Sequence, residues 1–216
     1  MSNAAFPNAP VIDNHSSKFI VGVIAITLPL LTYLLALPER LGSISASYWA
    51  EGDWPRNIFV GFLFAVAAFL ASYNGYSPLQ MRLSKLAGVA AVGIAMFPCS
   101  CGGHPQIVPG VHYVSAAIMF GVLAFFCYVF LRRAWPKPTV QARVRAIVYA
   151  ICGLAMVVAI VAIGIDAVTG ALSQSFPSFT FWAETTALVA FGIAWLTASR
   201  ILPVITAPNE QLSLLS

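Results

Sequence analysis

The side chains able to do chemistry in this chain are few, and they stand at the ends of long apolar stretches. Three serines alternate at Ser43, Ser45 and Ser47, followed by Tyr48 and Trp49. Arg56, His112, Asp166 and Glu184 come later, each close to one end of an apolar run. A serine, a histidine and an acid are the groups that nucleophilic acyl transfer uses, since the imidazole takes the hydroxyl proton and the acid orients it. No Gly-x-Ser-x-Gly elbow exposes any of these serines, so the residues leave open whether the chain is an enzyme. The alternating hydroxyls also suit hydrogen bonding to a lipid headgroup or substrate, while Tyr48, Trp49 and Trp54 suit the aromatic belt at a membrane surface.

A metal centre needs three or four ligands in one shell. His112, Asp166 and Glu184 are of the right types, but no closely spaced motif joins them, and His104 sits in a Gly-Gly-His-Pro segment. No metal and no cofactor is expected. Cys99 and Cys101 fall in one inter-helix segment. A Cys-x-Cys pair is tight for a disulfide, although an extended Cys-Ser-Cys reaches the required separation, so both states stay open. Cys127 and Cys152 lie within apolar runs and read as small apolar residues.

These groups are positioned by a chain that composition places in lipid. Of 216 residues, 60% are hydrophobic and 8% charged, against about 25% charged in a soluble domain. The net charge of +4 lies in short gaps between apolar runs, which excludes a nucleic-acid partner. A spanning helix needs about 20 mainly apolar residues. Six stretches approach or meet this: Phe19 to Leu37, Ile58 to Tyr73, Leu83 to Pro98, Val111 to Leu131, Val144 to Val168 and Phe179 to Leu202. The expected fold is all-α, a polytopic bundle of six transmembrane helices over residues 18–202, between tails at 1–17 and 203–216. The third stretch is rich in Ala and Gly, which suits a helix in the middle of the bundle. Residues 1–17 are polar and contain Pro7 and Pro10, so the first run is expected to stay as an anchor.

Orientation follows from the cations, which cytoplasmic loops retain. Arg82 and Lys85 follow the second helix; Arg132, Arg133, Lys137, Arg143 and Arg145 follow the fourth. Both termini are then expected in the cytoplasm. Arg56, His112, Asp166 and Glu184 all fall in the opposite half. A carboxylate in the bilayer costs about 2.5 to 3.5 kcal/mol at mid-depth, so Glu184 is expected to face the interior with Arg56 or His112 as partner. The competing account is an ion-pair network that merely caps the bundle. No helix carries a charge at its centre and no inverted repeat is evident, which gives transport no support.

A resemblance adds to this reading. SISASYW at 43–49, RNIFVG at 56–61, SYNGY at 72–76, Phe97-Pro98, HYVSA at 112–116 and Glu184 together resemble a group of bacterial six-helix membrane proteins, distantly similar to the Frag/DRAM/Sfk proteins. Some of those are linked to lipid remodelling or membrane stress. The resemblance implies the six-helix fold and a bacterial inner membrane. Trp49 and Asn57 stand where that pattern has a histidine and an acid. Alkaline ceramidases are a weaker comparison, because their zinc-binding histidines have no counterpart here. The expected function is a polar pocket near the outer leaflet, formed by Ser43, Ser45, Tyr48, Arg56, His112, Asp166 and Glu184, that binds a lipid or other amphiphile. The alternatives are an accessory subunit with a membrane-protein partner and a membrane-embedded lipid hydrolase.

Overall fold

The computed structural model describes residues 14–202 and 205–206, so most of the two expected tails lies outside the described residues. Among the described residues seven α-helices run α1 (Asn14–Ala36), α2 (Asp53–Ser72), α3 (Pro78–Met96), α4 (Val111–Ala134), α5 (Val140–Thr169), α6 (Ala171–Ser175) and α7 (Phe179–Ser199). Six of them, all but the short α6, are long and apolar enough to cross a membrane. This is an integral membrane protein with an all-α bundle, as composition and hydropathy require.

The helices extend past the apolar runs because hydropathy marks the hydrocarbon and not the hydrogen-bond ladder. α2 begins at Asp53, five residues before the run, with the acid in its first turn after Gly52 at φ 79°. α3 begins at Pro78, where the Ser77 hydroxyl accepts from the Gln80 N–H and proline at the first position loses no helical bond. α5 begins at Val140 under a Thr139 cap. At 30 residues it is about 45 Å long, beyond the roughly 30 Å hydrocarbon thickness.

Each spanning helix packs on its neighbour in sequence, and α7 returns to α1, so the six form a closed ring. α3 is one member of that ring, between α2 and α4, and not its axis. Its small residues serve a local purpose: Ala87, Gly88, Ala90 and Ala91 are buried, and a Cβ on Gly88 would lie 3.0 Å from the Ala67 carbonyl oxygen. Toward the cation-rich end the ring is filled by aromatics. Trp195 is fully buried, with Tyr73, Phe126, Phe130 and Phe191 at centroid distances of 5.1 to 6.2 Å. At the other end the ring is closed by the α1–α2 connection, described next.

Candidate functional site

The segment from Leu41 to Ala50 enters the mouth of the ring. Leu41, Ile44 and Ala50 are buried with Ser43, Ser45 and Ser47, and residues 45–48 make one 3-10 turn. An irregular backbone is tolerated at membrane depth only where protein satisfies its polar groups, and here the satisfaction is detailed. The Ile44 N–H donates to Glu184 Oε2 at 2.6 Å, and the Ser45 N–H points to the same carboxylate. The Phe181 N–H donates to the Gly42 carbonyl at 2.9 Å, a second tie to α7. Trp49 Nε1 donates to the Cys99 carbonyl at 2.9 Å, and its ring stacks on His104 at 4.2 Å, fastening the segment to the α3–α4 connection.

The serines are used inside this structure. Ser47, wholly buried, donates to the Ile44 carbonyl at 2.6 Å. Ser43 Oγ accepts from the Ala46 N–H at 3.0 Å and lies 3.5 Å from Cys101 Sγ. Cys99 and Cys101 are joined as a disulfide, and that sulfur carries no hydrogen, so Ser43 is the donor. Ser45 Oγ lies 3.0 Å from Nε2 of the buried His112, whose Nδ1 lies 2.9 Å from the Phe97 carbonyl. A carbonyl only accepts, so Nδ1 carries a proton. In the neutral ring Nε2 is then the acceptor and Ser45 donates to it.

Three of the seven expected residues therefore meet around two peptide bonds: Ser45, His112 and Glu184. The rest do not join them through side-chain bonds. Arg56 pairs with Asp53, three residues earlier, at 2.6 Å, and both are exposed. Its guanidinium lies 6.0 Å from the half-buried Tyr48 ring. Among the described residues Glu184 has no cationic partner, and backbone amides take the place expected for Arg56 or His112. Asp166 Oδ1 accepts from the N–H groups of Leu172 and Ser173 at 2.8 and 3.0 Å, capping α6 after the left-handed Gly170. Among the described residues no three of His, Cys, Asp and Glu converge as a metal set.

A Ser–His pair at 3.0 Å has the donor and acceptor order of a nucleophile and its base. Two features oppose acyl transfer in this conformation. Both residues are buried, and the amides beside Ser45 that would stabilise an oxyanion already face a carboxylate.

Sequence reasoning missed a second feature. Between α5 and α7 runs an apolar groove of about 500 Å³, whose walls include Leu154, Ala155, Val158, Ala162, Phe179 and Ala183. Ala183 directly precedes Glu184, so the groove runs along the helix that holds the loop. Small residues on two facing helices were the signal available.

Comparison with family models, curated proteins and solved structures finds no match.

Proposed function

We propose that this protein binds a lipid or other single-chain-shaped amphiphile in the outer leaflet, with an acyl chain in the α5–α7 groove. The observation that carries the reading is the groove itself. Its volume of about 500 Å³ falls within the roughly 300 to 1,000 Å³ of small-molecule sites. Its walls Leu154 and Val158 are exposed, so it faces the bilayer, where hydrocarbon is the solvent and an acyl chain is at home. In this reading Ser45, His112 and Glu184 support the site by fixing α7 and the inserted loop.

The proposed location is a bacterial inner membrane, with the Arg132–Arg145 end and both termini cytoplasmic. Two independent features support that orientation: the cations gather at one end, and the Cys99–Cys101 disulfide, which suits an oxidising compartment, lies at the other.

The test is mass spectrometry of lipid retained in native membrane discs. Val158→Trp, on an exposed wall of the groove, and Ala183→Phe are expected to lower retained lipid about ten-fold, the loss of roughly 1.4 kcal/mol of contact. Val89→Trp, on the exposed face of α3, is the control and is expected to leave it unchanged. Equal lipid in all three variants would remove the groove as the site.

A membrane-embedded lipid hydrolase is the second reading, favoured by the Ser45–His112 bond alone. It requires lipid turnover by the purified protein that Ser45→Ala and His112→Ala each cut by about 10³-fold or more. Turnover indifferent to both changes would exclude catalysis at this pair.

A further inference from the structure

Of the four cysteines in this chain, two are joined across a single residue. Cys99 and Cys101 both belong to the α3–α4 connection, so their bridge closes a very short loop and ties no helix to another. The stabilisation that a bridge draws from constraining the unfolded chain falls with loop length and is least for a loop of this size. The connection is also fastened without it, since Trp49 Nε1 donates to the Cys99 carbonyl and the Trp49 ring stacks on His104. Stapling the fold therefore leaves the bridge unexplained. The other two cysteines, Cys127 and Cys152, are free thiols buried in α4 and α5.

The two bonded cysteines are placed differently. Cys99 is 1% exposed. Cys101 is half-buried, and its neighbours Ser100, Gly102, Gly103 and His104 are all exposed. The two glycines leave the approach open: a Cβ on Gly103 would meet nothing within 4 Å, and one on Gly102 only His104 Cδ2, at 3.7 Å. No Lys, Arg, Asp or Glu occurs from Cys99 to Gly110, so the segment itself carries no acid to repel an incoming thiolate. The Ser43 hydroxyl donates to Cys101 Sγ at 3.5 Å, and a donor in that position steadies negative charge on the sulfur once the bridge opens. Exchange requires a thiolate to reach one sulfur of a disulfide while the other departs. Here the accessible cysteine is the one to be attacked and the buried one is the one to leave.

We propose that Cys99 and Cys101 form a thiol–disulfide exchange site for a dithiol, with Cys101 as the sulfur that the partner thiolate attacks. In the first step the incoming thiol gives up its proton, its sulfur bonds to Cys101 Sγ, and the Cys99–Cys101 bond breaks. Cys99 departs as a thiolate and takes up a proton, ending as a thiol. In the second step the partner's other thiol loses its proton and attacks the partner sulfur held on Cys101. The mixed bond breaks, and Cys101 leaves as a thiolate beside the Ser43 hydroxyl before it too is protonated. Two electrons pass from the dithiol to the cysteine pair, and the dithiol ends as a disulfide. Run in reverse, the reduced pair passes its electrons to a disulfide. This site differs from the α5–α7 groove in place and in chemistry, and its test stands apart from that reading.

The experiment uses the full chain in discs of phosphatidylcholine, with dithiothreitol as the dithiol and glutathione disulfide as the oxidant. Acid stops the reaction, the thiols are alkylated after unfolding, and intact mass counts them: two, Cys127 and Cys152, in the bridged chain, and all four cysteines once it is reduced. Reduction of the folded chain is expected within about thirty-fold of the rate for chain unfolded in sodium dodecyl sulfate, and glutathione disulfide is expected to restore the bridge. Slower reduction than that, or a reduced pair that glutathione disulfide leaves open, overturns the site. Two variants then locate the attacked sulfur. Cys99→Ser leaves Cys101 alone, and Cys101→Ser leaves Cys99 alone. The lone Cys101 is expected to form a mixed disulfide with glutathione disulfide at least about ten-fold faster than the lone Cys99, because access governs the rate. Equal rates, or a faster Cys99, overturn the assignment to Cys101. The wild-type rates need no variant and decide the exchange by themselves.

Discussion

Glu184→Ala frees the Leu41–Ala50 segment from the mouth of the ring. The carboxylate is the acceptor for the Ile44 N–H at 2.6 Å and faces the Ser45 N–H as well, and Ile44 is only 2% exposed. Removing the acceptor strands the amides of two buried residues, Ile44 and Ser45. Each buried orphan costs about 1 to 3 kcal/mol, so the segment is expected to lose about 2 to 6 kcal/mol of its hold. Because Ser45 follows Ile44 directly, the Ser45–His112 bond is expected to go with it. Hydrogen exchange read by mass spectrometry in detergent checks this: the amides of residues 44–48 are expected to exchange at least about thirty-fold faster in Glu184→Ala, whereas those of α4 keep their protection. Glu184→Gln retains a carbonyl oxygen and should preserve most of the protection. Unchanged exchange in the alanine variant would show that the carboxylate does not hold the segment.

That bond also marks where sequence reading stops. The confinement of Ser45, His112 and Glu184 to one rim was legible, because hydrocarbon penalises such groups and their places in the apolar runs can be read directly. Apart from the Ser45–His112 bond, their partners were not legible, because they are main-chain atoms: the amides of Ile44 and Ser45 and the carbonyl of Phe97. Every residue has such groups, so no residue type advertises them. Arg56 shows the converse. Its partner, Asp53, stands at a helical spacing of three and was visible in the sequence, yet it lay outside the apolar run taken as the helix. Asp166 was placed correctly at the end of a span, but its role as a cap depends on Gly170 at φ 65° and the short α6, a turn that hydropathy does not register. The spans themselves came through well because 20 apolar residues have few other uses. The α5–α7 groove did not, because alanines line it and the register of one helix against another is set by packing. Likewise Lys18, Arg145 and Arg200 read as separate loop and helix-end charges until the closure of α7 on α1 brings them to one place.

That closure depends on two glycines, and Gly192→Leu is expected to break it. A Cβ on Gly192 would lie 2.8 Å from the Gly22 carbonyl oxygen and 2.6 Å from Ile26 Cγ1; one on Gly22 would lie 2.9 Å from the Gly192 carbonyl oxygen and 2.7 Å from Leu196 Cγ. Each glycine thus faces the other's backbone, and a carbonyl cannot swing aside as a side-chain tip can. The helices must separate instead. In a bilayer no hydrophobic force draws them back, since lipid tails are as apolar as the leucine, so the packing lost along the seam is not recovered. Overpacking of this kind costs about 3 kcal/mol, and more if the ring opens. Because Lys18 and Arg200 stand on opposite sides of the seam, and His15 Nδ1 lies 3.0 Å from the Ser199 carbonyl across it, the small basic pocket that these two line with Arg133 and Arg145 should be lost as well. Reversible unfolding in mixed micelles is the measurement, with Gly121→Leu as the matched control, because a Cβ on Gly121 meets nothing within 4 Å. The expected result is a large loss of stability for Gly192→Leu and almost none for Gly121→Leu. Similar small losses for both would mean that α1 and α7 approach less closely than described, and the ring would then lack the seam that gathers its cations.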